Sequence, residues 1–348
     1  LVFDLMSHRG VLMDGKTLRR LGCAAGLIMS AALAQPAMAR ETGLGGYADH
    51  PGGGTNGGGA GNIPVGIFMV DQLFLDSTKT NGAQGHDAVD VAVFIFNPGW
   101  TFLGATTQFI FVQPWLVADN APINNEGMVN ELYKADASWK FGDWHVKLAL
   151  GAWADVGSRG GPNGLAGAAL PFWTIQPEFA VQWAHDGWSF LAYTYWEIDT
   201  KNDATNYQNA PLFHADFTLS YTTGKWTFGP VADFTTQVGS DTSSNFYLQT
   251  AAGNANCLAT VAVGTQCTGG SVTEWDVGAT VAYDFGPVTL QLWATDQVYH
   301  KLTGNTIAGN GANSVTQSGY TFWFQASYAL YTPEEAAPAP SKKPLIYK

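Results

Sequence analysis

The run Trp173-Thr-Ile175-Gln-Pro177-Glu-Phe179-Ala-Val181-Gln-Trp183 places an apolar group at every odd position, with Gln176, Glu178 and Gln182 between them. The chain turns through His185-Asp186-Gly187 and resumes at Trp188 with a second run that carries Tyr193, Tyr195 and Glu197 on one parity. Successive side chains on a strand point to opposite faces, so each run has one apolar and one polar face. The same alternation recurs at Trp226, Phe228, Pro230, Ala232 and Phe234, at Trp275, Val277, Ala279, Val281 and Tyr283, and at Tyr320, Phe322, Phe324, Ala326 and Tyr328. A chain built of such hairpins is all-β.

A soluble sandwich or a propeller would alternate too, so the connections decide. Short turns lie at Asn97-Pro-Gly99, Phe141-Gly142-Asp143, His185-Asp186-Gly187, Thr223-Gly224-Lys225 and Phe285-Gly286-Pro287. Longer polar stretches fall near 76–87, 118–129, 155–170, 200–210, 239–272 and 300–317. Short and long connections alternate throughout, as periplasmic turns and external loops do in an outer-membrane barrel. Trp100, Trp144, Trp188 and Trp226 each follow a short turn and predict an aromatic membrane girdle at the periplasmic interface. Trp173, Phe213, Trp275 and Tyr320 predict the matching outer girdle. The Trp spacing of about 40 residues would also suit propeller blades, but propeller strands are shorter and their loops do not alternate. The expected architecture is therefore a transmembrane outer-membrane β-barrel of about 12 antiparallel strands over residues 66–331. The strands are expected near 66–75, 88–96, 102–115, 130–141, 144–155, 172–184, 188–199, 212–223, 226–238, 273–284, 288–299 and 318–330. An even count puts both termini in the periplasm.

Composition agrees. Charged residues make up 13% of the 348, about half the share of a soluble domain, and aromatics another 13%. Disordered chains are charged and poor in aromatics, so disorder is excluded. No apolar run reaches the about 18 residues that a spanning helix needs. A net charge of −12 argues against binding nucleic acid, whose phosphates need Lys and Arg.

Residues 1–39 read as a signal peptide. Lys16, Arg19 and Arg20 precede a short apolar run from Leu21 to Ala34, and Pro36-Ala37-Met38-Ala39 supplies the small-residue cleavage site. Met13 would start a signal peptide of ordinary length, which sets residues 1–12 apart as upstream sequence. Residues 1–39 hold four bases and two acids, so their removal takes the net charge to −14. Residues 40–65 are Gly-rich and form either a periplasmic linker or a luminal hatch. Residues 332–348 read as a disordered periplasmic tail. An exported chain meets an oxidising compartment, so Cys257 and Cys267 are expected to form a disulfide within the 239–272 loop. Without a nearby His pair they make no zinc site, and no metal, cofactor or catalytic residue is expected.

If the apolar face meets lipid, the polar parity lines the lumen. The expected solute path comprises Lys147, Glu178, Tyr193, Tyr195, Glu197, His214, Asp216, Asp233, Asp276, Trp293 and Trp323. Acids outnumber bases among them, whereas an anion-selective pore would carry rings of Lys or Arg. The first strands differ: Phe68, Met69, Val70, Leu73 and Phe74 are apolar on both parities, and so are Val93, Phe94, Ile95 and Phe96. This sector either forms a path for hydrophobic solutes or packs against the N-terminal segment.

Several stretches carry a family resemblance. They are Glu41-Thr-Gly43 with the Gly-rich stretch before Ile67-Phe68, and Phe172-Trp173-Thr-Ile-Gln176-Pro177. Asn206-Tyr207-Gln208-Asn209 leads to Phe213-His214-Ala-Asp216, and Gly224-Lys-Trp226-Thr-Phe-Gly229 runs on to Gln237-Val-Gly-Ser-Asp241. Across residues 41–330 the chain resembles the proteobacterial outer-membrane transporter family of the meta-pathway of phenol degradation. Where that family has a Gly-rich Gly-Asp motif, this chain has Glu131-Leu-Tyr133-Lys-Ala-Asp136. The resemblance implies a barrel in the Gram-negative outer membrane, with membrane lipid and small hydrophobic or aromatic solutes as its partners.

The expected function is passive uptake of such solutes by a porin-like transporter. One alternative is a barrel hydrolase, with His214 and Asp216 as a catalytic pair at i and i+2. The other is a structural or adhesive barrel acting through its external loops. The signal reading is checked by N-terminal sequencing of protein isolated from outer membranes, which should begin at Arg40.

Overall fold

The computed structural model describes residues 60–61, 63–80, 83–118, 126–159, 168–203, 207–239, 242–243, 271–303 and 317–333. Twelve strands form the wall. They are β1 (Gly66–Thr80), β2 (Ala83–Asn97), β3 (Ala105–Ala118), β4 (Glu131–Phe141), β5 (Trp144–Ala154) and β6 (Thr174–His185). The second half comprises β7 (Trp188–Asp199), β8 (Leu212–Thr223), β9 (Trp226–Gln237), β10 (Ser271–Asp284), β11 (Val288–Thr303) and β12 (Gln317–Tyr331). Each pairs antiparallel with its neighbours in the chain. β1 pairs with β12 from Ile67 opposite Tyr331 to Thr80 opposite Gln317, which closes the sheet. Among the described residues there is no helix.

Closure is what the patterning requires. In hydrocarbon no water can bond an unpaired N–H or C=O, so a sheet that spans it can have no free edge. The burial pattern follows the pleat. Along β7, Leu191, Tyr193, Tyr195, Glu197 and Asp199 are buried, while Phe190, Trp196 and Ile198 are exposed on the other face. Trp144, Trp188 and Trp226 stand exposed where β5, β7 and β9 begin, and Trp100 is exposed in the preceding turn region. Two prolines interrupt the ladder, since proline has no N–H to give. Between β6 and β7 the pairing passes from Ile175 opposite Ile198 to Glu178 opposite Tyr195, skipping Pro177. Between β8 and β9 it skips Pro230, and there the backbones approach so closely that a Cβ on Gly229 would lie 1.9 Å from the Leu219 carbonyl oxygen.

The first hairpin departs from the sequence reading. The stretch 76–87, expected as a loop, is mostly strand, with only residues 81–82 between β1 and β2. Its polar side chains spoil the alternation without weakening the backbone ladder, which is continuous from Gly66 opposite Asn97 to Thr80 opposite Ala83.

The outer face of this hairpin holds a second departure. Gln72, Phe74 and Asp76 are buried and point inward, which turns Asp71 outward, where it is exposed. Asp90 lies opposite Leu73 on the same outer face, within hydrogen-bonding contact of Asp71. Gln113, opposite Ala92, joins them. Two carboxyls thus sit on a face that elsewhere presents Phe94, Phe109, Leu148, Phe179, Leu219 and Phe324. An acidic side chain on the lipid face costs less than a basic one but still opposes insertion. Replacing Asp71 and Asp90 by Leu should therefore stabilise the barrel by roughly 1–2 kcal/mol each. Urea titrations of protein folded into vesicles would show it as a higher midpoint, and an unchanged midpoint would contradict it.

Candidate functional site

The interior divides into two sectors. The first lies on β1, β2, β3, β11 and β12, where Phe74, Val89, Val91, Leu116, Trp293 and Trp323 form one apolar cluster. Strand register builds its centre, because Phe74 stands opposite Trp323 and Trp323 opposite Trp293. The two indoles stack with centroids 5.2 Å apart at 9°, and the Phe74 ring lies 4.7 Å from Trp323. Both tryptophans are at most 5% exposed, and neither indole N–H has a hydrogen-bond partner. A buried donor left unmet costs about 1–3 kcal/mol, so both indoles would gain from an acceptor beside them. Two residues along the strands, the Gln72 amide donates to Gln325 Oε1 at 2.7 Å.

Two connections at the outer end close over this slot. Val129, before β4, and Ala168, before β6, belong to the same apolar cluster. Asn130 ties the connections together: its amide donates to the carbonyls of Leu170 at 2.9 Å and Phe172 at 3.3 Å, and its Oδ1 accepts from Gly157 N at 3.4 Å. Backbone bonds from Ser158 to Met128 and from Ala169 to Ser158 complete the cap. Arg159 pairs with Asp155 at 2.7 Å beside it.

At the inner end the chain approaches β1 from within the lumen. Ala60 is fully buried against Ala180, Leu191, Tyr193 and Tyr195. Its carbonyl accepts from the Ser138 hydroxyl, and Gly61 N donates to Gln182 Oε1 at 3.2 Å. Asn97 Nδ2 then holds the Ile63 carbonyl at 2.7 Å. Ala60 and Gly61 therefore pack against the polar wall, and Phe74, Val89 and Val91 of β1 and β2 pack with the tryptophans. Residues 40–59, most of the segment that sequence reading sets beside the apolar sector, lie outside the described residues.

The second sector runs from β4 to β10. Lys134 Nζ lies 3.0 Å from both carboxylate oxygens of Glu178, which also accepts from Gln176 Nε2 at 2.7 Å. The Lys147 ammonium sits 5.3 Å from the centroid of the Tyr193 ring. Tyr195 lies flat on His214, 4.3 Å away at 4°. Asp216, Asp233 and Asp276 are buried beside them.

Every residue of the expected solute path thus faces the interior and is buried. Their expected partners differ in one case. His214 does not engage Asp216: its Nδ1 meets the Thr235 hydroxyl at 2.9 Å, and its Nε2 lies 3.6 Å from Glu197. Residues i and i+2 share a face but stand nearly two strand rises apart, farther than cross-strand neighbours. The order hydroxyl, imidazole, carboxylate is that of a nucleophilic triad, but the ring is pinned against Tyr195 and faces the bore rather than lipid. Phe74 belongs to the sector that sequence reading marks as apolar on both parities. Val129, Asn130 and Ala168 carry no such signal and are found only in the structure. Cys257 and Cys267 lie outside the described residues. Among the described residues no group of three or more His, Cys, Asp or Glu is placed to hold a metal ion.

The family model described as "Putative MetA-pathway of phenol degradation" matches residues 49–312. A search of curated proteins gave no match. An outer membrane channel from Pseudomonas putida F1 is 12% identical with a TM-score of 0.58, covering 77% of this chain and 97% of that one. A Pseudomonas aeruginosa FadL homologue is 12% identical with a TM-score of 0.36, covering 76% of this chain and 90% of that one. The Ralstonia pickettii toluene transporter TbuX is 10% identical with a TM-score of 0.36, covering 77% and 90%. At 12% identity the likeness to the P. putida channel is one of fold.

The cap has a direct test. Asn130→Ala removes three hydrogen bonds from a residue that is 1% exposed. Small-ion conductance in planar bilayers should rise, while heat-modifiable migration shows the barrel intact; unchanged conductance would assign the cap no part in closing the bore.

Proposed function

We propose, on the premise that this chain belongs to the family described as "Putative MetA-pathway of phenol degradation", that its barrel is a passive outer-membrane channel for small aromatic solutes. One observation carries the reading: the luminal stack of Phe74, Trp323 and Trp293, with two buried indole N–H groups and no acceptor for either. An aromatic ring gains from stacking and from leaving water. A phenolic or carbonyl oxygen on that ring would accept the free N–H groups.

The rest of the interior supports passage through this slot. Val89, Val91 and Leu116 give it apolar walls. The cap tied by Asn130 closes it toward the outside, and Ala60 and Gly61 narrow the bore toward the periplasm. Twelve strands leave a bore between the filled 8-stranded and the open 16-stranded cases, so side chains can obstruct it. A solute would enter by displacing the cap, rest on the tryptophans and leave past the N-terminal segment. Such transit follows the concentration gradient. The four girdle tryptophans, Trp100, Trp144, Trp188 and Trp226, would sit at the periplasmic interface of the membrane. No catalytic role is assigned to His214.

Proteoliposome uptake tests the reading. Phenol should enter faster than glucose of equal concentration, and the double variant Trp293→Phe with Trp323→Phe keeps the rings but loses both N–H donors. Half-saturation for phenol should then rise about tenfold, for roughly 1.4 kcal/mol of lost hydrogen bonding. Ethylbenzene, which has no acceptor, should be unaffected. No uptake of any aromatic above protein-free liposomes would overturn the channel; equal effects on phenol and ethylbenzene would overturn the role of the N–H pair.

A further inference from the structure

The bore is narrowed a second time at its inner end, by the chain that leads into β1. Ala60 is fully buried, its carbonyl accepts from the Ser138 hydroxyl, and Gly61 N donates to Gln182 Oε1 at 3.2 Å. Both bonds use backbone groups of the segment, so they hold the chain whatever its side chains. His145, the second residue of β5, completes this seat. A Cβ added to Gly61 would lie 3.7 Å from His145 Cδ2 and 3.8 Å from Nε2, so this edge of the ring faces the Gly61 backbone. The other ring nitrogen, Nδ1, is buried with no hydrogen-bond partner.

The groups around the ring are neutral or basic. Lys140 of β4 stands directly opposite His145, and Gln182 of β6 stands directly opposite on the other side. The Gln182 amide is committed, since Oε1 accepts from Gly61 and Nε2 donates to Ser189 Oγ at 2.9 Å. Lys147 follows two residues along β5 on the same luminal face, over the Tyr193 ring. The acids on these elements are held by other groups. Asp143, before β5, lies 2.9 Å from His185 Nδ1. Asp136 of β4 accepts from Gln108, and Glu178 of β6 pairs with Lys134.

A neutral imidazole fits this seat. A proton on it sets a cation beside Lys140 at cross-strand distance, where like charges repel. It also turns Nδ1 into a buried charged donor with no acceptor. Moving Gly61 off the ring admits water and relieves both costs. We propose that His145 is a pH-sensitive latch on the N-terminal segment: neutral, it seats Ala60 and Gly61 across the inner end, and protonated, it releases them and widens the bore. The seat is therefore kept above the range where imidazoles titrate and lost as pH falls through it. The effect on flux rests on the channel reading, but the seating itself does not.

Hydrogen exchange at the Gly61 amide of the full-length protein in detergent, corrected for the intrinsic pH dependence of exchange, reads the seat directly. Protection should fall about tenfold from about pH 8 to about pH 5, a modest return for like charges on adjacent strands. Small-ion conductance in planar bilayers should rise over the same interval. His145→Gln keeps a polar side chain that cannot charge, and both responses should vanish. His185, His214 and His300 still titrate in that variant, so a surviving response would overturn the assignment to His145. If heat-modifiable migration shows that the variant does not fold, Lys140→Gln replaces it. Removing that charge should shrink the response severalfold, and an undiminished response would overturn the latch. Equal protection of Gly61 at both pH values in the native protein would overturn it as well. Protection that changes with pH in a protein that passes no solute would refute the channel reading and leave the latch standing.

Discussion

Everything in this molecule depends on satisfying backbone hydrogen bonds where there is no water. The ladder from β1 to β12 meets that constraint by closing on itself. Once the wall is closed, the pleat assigns each residue to one of two environments. Phe179 and Leu219 are left exposed for lipid, while Glu178 and Asp216 are brought inside. Low overall charge follows, because about half of every spanning strand cannot carry an ion cheaply.

The interior then has to solve a problem of its own. Inward-facing side chains fill a bore only twelve strands wide, so each polar group must find a partner or remain unmet. Most find one across a strand, as Thr295 does with Thr321 and Gln108 with Asp136. Among the described residues the exceptions are spread from β4 round to β12, and they include both indole donors of the slot, Trp293 and Trp323. The same constraint explains why the cap matters. Asn130 spends both amide hydrogens on backbone carbonyls of the connection before β6 and accepts from Gly157 N, holding irregular chain over the slot.

Much of this was legible before any fold was known. The period-2 runs placed Tyr193, Tyr195, Asp233 and Trp323 on the inward parity, and the structure buries all four. The turns at Gly142, Gly187, Gly224 and Gly286 were readable as well, and each of these glycines has positive φ. The reading failed where periodicity is silent. Residues 76–87 read as loop because their polar side chains hide a strand that only cross-strand pairing reveals. Asp71 and Asp90 went unremarked because parity alone does not say which face of β1 turns outward when both are apolar. His214 was matched with Asp216 by sequence proximity, whereas register gave it Thr235 and Glu197.

The sequence by itself determined the wall: strand number, alternation and the places of the short turns. These are local properties, written in a repeat of two and in turn residues every dozen or so positions. The tertiary structure alone decided what meets what inside. Phe74, Trp293 and Trp323 are far apart in the chain and become neighbours only because β1 closes against β12. The row of Asp216, Asp233 and Asp276 exists only because three strands share one register. Register and closure are long-range choices, fixed by the summed hydrogen bonding and packing of the whole sheet, and no single segment carries them.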